Sequence, residues 1–200
     1  FEAVRSFAPD VILISARMTN HYNDLNEIAP VVFSRVGVST CAFAEEMNEN
    51  TRLIAALFGA EAKAERDIAE REKRQEALRK KTLGRSVLLI VTGERGMLLY
   101  DDMSIYGFLY NDFGFSFPMA SDPKGSHGKP VTMETLSKVD VDYVFTFDRG
   151  EALGTQSDKG EAMRRELAAG FAARGIPVLT LGAATWYLCQ HGVQGCQRGL

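Results

Sequence analysis

Two stretches of the chain run from an acid, through six mostly apolar residues, to an arginine: Asp10-Val-Ile-Leu-Ile-Ser-Ala-Arg17 and Asp142-Tyr-Val-Phe-Thr-Phe-Asp-Arg149. A guanidinium keeps its charge when buried and presents a planar fork of donors, so two such groups facing one point would recognise an anion. On an open surface each arginine would be worth under about 1 kcal/mol as an ion pair. In a cleft of effective dielectric near 20, one unit charge at about 5 Å is worth roughly 3 kcal/mol. Two further groups could take part. His127 lies in Gly125-Ser126-His127-Gly128-Lys129, where glycines let the backbone approach a ligand, although a loop histidine more often simply faces solvent. Trp186-Tyr187 opens the last helical segment. Such a pair is more often core, but a phenolate is a hard oxygen donor suited to ferric iron and an imidazole is a good partner for it.

Catalytic signatures are scarce. The chain has no GxSxG, P-loop, HExxH or GxGxxG pattern, and Gly93-Glu94-Arg95-Gly96 runs directly into another strand rather than into a helix. An α/β enzyme using His127 as a general base on an anionic substrate would lack a nucleophile, a partner carboxylate and a cofactor fingerprint. His21 and His191 read as solvent residues. Cys41, Cys189 and Cys196 read as partly buried free thiols, because Cys189 and Cys196 on one helix would stand about 10 Å apart.

The elements that must position these groups follow from periodicity. Each acid-to-arginine run is a continuous apolar segment, which reads as a strand buried on both faces of a parallel sheet. Its arginine then stands at the carboxyl end of the strand, where open α/β sheets place their ligand crevice. Strands are expected at Val11–Ser15, Ser86–Thr92, Met97–Tyr100, Tyr143–Phe147 and Pro177–Leu181, with an extended segment at Ala29–Phe33. Helices are expected at Phe1–Phe7, at Asn20–Ile28 with Asn20 as N-cap, and at Glu45–Phe58, stopping at Gly59. Further helices follow at Ser104–Phe113, Thr132–Val139, Lys159–Arg174 and from Ala184 to His191, and Phe115–Lys129 reads as a loop. Between the strand-rich halves, Ala60–Lys81 alternates acids and bases with alanine. It makes a helix of roughly 33 Å, read either as a solvated surface helix or as a rod joining two lobes. The fold class is therefore α/β with mostly parallel sheets.

A net charge of −3 argues against a general nucleic-acid binder, and no apolar stretch is long enough for a membrane span. The chain begins at Phe1 in what reads as the back half of a helix, which suggests a fragment whose missing amino-terminal part carried any targeting signal.

Several of these residues, taken in order, carry a resemblance. Thr51-Arg-Leu-Ile-Ala-Ala-Leu-Phe-Gly59 precedes the charged helix, and Tyr106-Gly-Phe-Leu-Tyr-Asn-Asp-Phe-Gly-Phe115 follows it. Then come Ser126-His127-Gly128, Tyr143 through Arg149, and Trp186-Tyr187-Leu188. Together they resemble the iron(III)-siderophore substrate-binding proteins of ABC importers, in particular the branch that takes petrobactin and related catecholates. The resemblance covers essentially the whole chain. It implies two three-layer α/β lobes joined by one long helix, with 1–59 as a partial amino-terminal lobe, 60–82 as the connecting helix and 83–200 as the carboxyl-terminal lobe. It also implies that the first half of the first lobe and the last part of the final helix are lacking. The function implied is non-enzymatic: a monomer with no intrinsic cofactor carries a ferric siderophore as cargo to a membrane ABC permease. Its place is the periplasm, or a lipid anchor at the outer face of the cell membrane. Arg17 and Arg149 match arginines that neutralise the ferric catecholate, and Tyr106 and Trp186 belong to the ligand-contacting motifs. His127 and Tyr187 match side chains that complete iron coordination when the siderophore offers only four donors. A third family arginine belongs in a Ser-Arg-Phe-Gly stretch that here reads Ser104-Ile105-Tyr106-Gly107, with Arg95, Lys124 or Lys129 as candidate substitutes for the lost charge. That loss leaves heme, cobalamin or a hydroxamate chelate as alternative cargoes on the same scaffold.

Overall fold

A computed structural model describes residues 1–34, 43–123 and 127–188. Cys41, Cys189, Cys196, His191 and Lys124 lie outside the described residues. The chain opens with helix α1 (Glu2–Phe7), strand β1 (Ile12–Ile14), a 3-10 segment (Ala16–His21), α2 (Tyr22–Asn26) and β2 (Val31–Phe33). Helices α3 (Phe43–Phe58) and α4 (Glu61–Thr82) follow, then β3 (Val87–Thr92), β4 (Met97–Tyr100), α5 (Phe108–Asn111) and β5 (Lys129–Val131). The remainder is α6 (Met133–Leu136), β6 (Tyr143–Asp148), α7 (Arg149–Leu153), α8 (Asp158–Ala172), β7 (Val178–Thr180) and α9 (Ala183–Tyr187). Among the described residues, no helix is long and apolar enough to cross a membrane.

Two sheets result. Strands β1 and β2 form a parallel pair, and the second sheet has the order β5-β4-β3-β6-β7. Its β3-β6 and β6-β7 pairings are parallel, while β4 joins β3 and β5 antiparallel. Strand β3 is buried along its full length. Its side chains alternate between two cores, with Val87, Leu89 and Val91 in one and Leu88 and Ile90 in the other. The first core holds Phe147, Tyr106, Phe108 and Trp186. The second holds Val144, Leu136, Leu167 and Phe171. Fully burying each such aliphatic or aromatic side chain is worth roughly 1.5–3 kcal/mol.

Strands β3 and β6 are also fastened at both ends by polar clasps. At the start, Asp142 accepts hydrogen bonds from the Ser86 amide (2.8 Å) and hydroxyl (2.9 Å). At the finish, the buried Asp148 accepts from the Thr92 hydroxyl at 2.9 Å. The in-register pairing Val87–Tyr143 through Thr92–Asp148 lies between these clasps.

The charged helix α4 packs on α3 through a polar seam. Arg71, only 3% exposed, donates to Asn48 and to Gln75, and Arg52 pairs with Glu65 at 2.7 Å. At its other end Arg79 donates to the Asn111 carbonyl (2.9 Å) and the Thr82 hydroxyl to that of Phe113, so α4 runs from α3 to the segment beside the large sheet.

Four expectations change. Strand β1 is not buried on both faces: Ile14 is 5% exposed and Leu13 49%, so one face packs inward and the other is open. Asn20 lies inside the 3-10 segment, and His21 stands at the N-cap of α2. The Ser104–Phe113 helix contracts to α5, preceded by turns in which Ser104 and Gly107 bond back to Asp101 and Ser104. The Phe115–Lys129 loop ends in strand β5, where Pro130 is tolerated because β5 is the sheet edge and needs no second ladder of donors.

Candidate functional site

The carboxyl ends of β3 and β6 open onto one cavity of about 790 Å³, within the range of pockets that enclose small ligands. Arg17, Arg149, His127, Tyr187 and Tyr106 all line it. Trp186 does not. It is 6% exposed and stacks on Phe108 with ring centroids 5.9 Å apart. Successive residues of a helix point about 100° apart, so α9 turns Tyr187 to the cavity and its neighbour Trp186 into the core.

Each polar group is placed by its element. Arg17 is the second residue of the 3-10 segment that leaves β1. Arg149 is the first residue of α7, and its position follows from Asp148 at the N-cap, whose carboxylate accepts from the Glu151 amide (3.1 Å) as well as from Thr92. Gly160 of α8 closes over that carboxylate so tightly that a Cβ there would lie 2.1 Å from Asp148 Oδ2. His127 is exposed and precedes Gly128, whose φ of 79° is a left-handed conformation that favours glycine. A Cβ at Gly128 would also lie 2.8 Å from the ring of Tyr100, so the loop rests directly on that ring.

Arg149 Nε donates to the Tyr187 hydroxyl at 2.8 Å, and its guanidinium carbon lies 5.6 Å from the tyrosine ring centroid. This hydrogen bond holds the Arg149 pKa above its ordinary value, so the group is cationic at every accessible pH. Tyr106 packs edge-on against Tyr100, centroids 4.8 Å apart. Burial pushes both phenols up, so they stay neutral and act as apolar wall with a polar tip.

The electrostatics favour an anion. Among the described residues, Arg17, Arg95 and Arg149 line the cavity with Glu94 as the single carboxylate, and none of the three forms an ion pair. No group of three or more His, Cys, Asp or Glu side chains that could hold a metal ion occurs among the described residues. His127 and Tyr187 supply two donors facing the same space. Two donors cannot enclose a ferric ion, so a metal here would bring most of its ligands with it.

Sequence reasoning did not single out Tyr100, Thr92 or Thr155, which also line the cavity. Tyr100 sits on a strand with no flanking motif, and nothing local signals that the His127 loop lies on its ring. His21, by contrast, lies away from the cavity, 3.9 Å from Asp24 and edge-on to Phe1.

The model of the periplasmic binding protein family matches residues 1–174. The chain is 28% identical over 197 residues to the petrobactin-binding protein YclQ of Bacillus subtilis (strain 168), covering 97% of this chain and 62% of that relative. The crystal structure of the same Bacillus subtilis protein superimposes with a TM-score of 0.81 at 26% identity, over 98% of this chain and 70% of that one. The iron-uptake ABC transporter substrate-binding protein PiuA from Streptococcus pneumoniae Canada MDR_19A superimposes with a TM-score of 0.88 at 23% identity, over 99% of this chain and 71% of that one.

Proposed function

We propose that this chain, which belongs to the periplasmic binding protein family, captures a ferric siderophore of catecholate or mixed type and delivers it to an ABC permease. The observation that carries the reading is the convergence of Arg17, leaving β1, and Arg149, leaving β6, on one cavity that also holds His127 and Tyr187. The two sheets then correspond to two lobes, a partial one over 1–59 and a second over 83–200, with 60–82 as the connecting helix. The petrobactin-binding relative supports the cargo class.

Capture is electrostatic. At about 5 Å and an effective dielectric near 20, each arginine contributes roughly 3 kcal/mol toward a unit of negative charge. Arg149 is held in place by Tyr187 before any ligand arrives, so less side-chain freedom is lost on binding. When the siderophore presents only four donors, His127 and Tyr187 complete the iron shell. The protein carries no cofactor of its own, acts as a monomer without nucleic acid, and works in the periplasm or from a lipid anchor at the outer face of the membrane. No reaction is catalysed.

A second reading keeps the scaffold and changes the cargo to heme, cobalamin or a hydroxamate chelate. It is favoured by Ile105, an apolar side chain in the cavity wall. The discriminating experiment titrates the intact protein with a ferric tris-catecholate, a ferric trihydroxamate and heme, following quenching of Trp186, the one tryptophan of this sequence. The catecholate is expected to bind most tightly. Failure of every ferric chelate to quench below millimolar concentration would falsify the siderophore reading, whereas a hydroxamate preference transfers it to the second cargo.

A further inference from the structure

We propose that Arg95 is a third anion-binding side chain of this cavity and that it sets the preference for highly charged ferric chelates, an inference that rests on the ferric-siderophore reading. Ile105 stands where the resemblance expects an arginine, and Ile105 and Arg95 line the same cavity. Arg95 reaches that cavity from a different element, the turn between β3 and β4. Three features make that turn a platform. The Gly96 amide closes it onto the Gly93 carbonyl at 2.9 Å, and Gly96 adopts φ of 107°, a conformation that side chains rarely take. The Glu94 carbonyl accepts from Lys159 Nζ at 2.7 Å, which anchors the turn to α8. Arg95 itself is exposed and has no hydrogen-bond or ion-pair partner among the described residues, so its guanidinium is available to a ligand. Of the other cations suggested by sequence, Lys129 is turned to the Ala120 carbonyl (3.3 Å), and Lys124 lies outside the described residues.

The test uses the intact protein and its Arg95→Gln and Arg95→Lys variants, each titrated at low salt with a ferric tris-catecholate and a ferric trihydroxamate under Trp186 fluorescence. Arg95→Gln is expected to weaken the trianionic chelate roughly 10-fold, the effect of one unit charge in a partly hydrated cleft, and to leave the trihydroxamate unchanged. Arg95→Lys is expected to retain most of the affinity, and added salt should narrow the gap between parent and Arg95→Gln. Equal tris-catecholate affinity of parent and Arg95→Gln overturns the role of Arg95 while leaving the siderophore reading intact. An equal loss toward both chelates also overturns it, because that pattern reports a structural role of the turn. A parent that binds neither chelate overturns both readings together.

Discussion

The pairing of Arg149 with Tyr187 joins the two chemistries of the cavity in one contact. The guanidinium provides charge, and the phenolic oxygen is both its hydrogen-bond acceptor and a potential iron donor. Arg149→Gln removes the charge and is expected to weaken a ferric tris-catecholate by about 100-fold, the equivalent of about 3 kcal/mol, measured by Trp186 quenching. Tyr187→Phe keeps the ring and removes the oxygen. With a tetradentate ferric catecholate, the parent should show a visible band from phenolate-to-iron charge transfer that Tyr187→Phe lacks, while a hexadentate chelate should bind both proteins alike. His127→Ala should show the same dependence on denticity in affinity. At this scale the sequence was informative wherever chemistry sat at a strand end, since Arg17 and Arg149 follow directly from runs whose length and composition show where the strands stop. It named Arg95 only as one of three candidate cations and did not single out Tyr100, because the relation of each to the cavity depends on how a turn and a strand are folded back. Trp186 shows the same limit: being next to Tyr187 in sequence puts it on a different side of the helix.

Among the elements, α7 depends on its neighbours more than on its own five residues. A helix this short is not stable by propensity, so its cap and the close approach of α8 must hold it. Gly160→Ala would place a methyl against the Asp148 carboxylate and is expected to cost about 1–3 kcal/mol of stability, read as a fall in melting temperature, with a loss of chelate affinity as Arg149 is displaced. The same dependence hid α7 from sequence reading, because its capping aspartate is the last residue of an apolar strand. Strand β5 was hidden by Pro130, which marks a loop unless one knows that the segment lies at the sheet edge. The continuous apolar strands β3 and β6 and the long charged helix α4, by contrast, were legible almost to the residue, because burial on two faces and dense i,i+4 charge pairing leave few alternatives.

For the whole molecule, stability should depend on acid through Asp142. Its carboxyl is held below the ordinary range, first by the Ser86 amide and then by the Ser86 hydroxyl and Arg85. A depressed folded-state pKa contributes stability that is present above the unfolded value near 4. That contribution is lost as pH falls through the folded value. Asp142→Asn should therefore lower the melting temperature at pH 7 and reduce the difference between pH 7 and pH 3, measured by thermal unfolding at both. Net charge gives a second global property. The chain carries −3 overall yet turns three arginines toward its cavity, so the proposed attraction for an anionic chelate is local and should weaken as ionic strength rises.

The paired clasps Ser86–Asp142 and Thr92–Asp148 have a geometric consequence. Two strands pinned at both ends behave as a single ruled edge, and both Arg95 and Arg149 project from the end of that edge. The strand ends from which they extend are thereby fixed relative to one another, whereas Arg17 reaches the cavity from beyond β1 of the other sheet. If the cavity takes a ferric chelate as proposed, a change in chelate diameter is expected to be taken up on the Arg17 side rather than between the ends of β3 and β6.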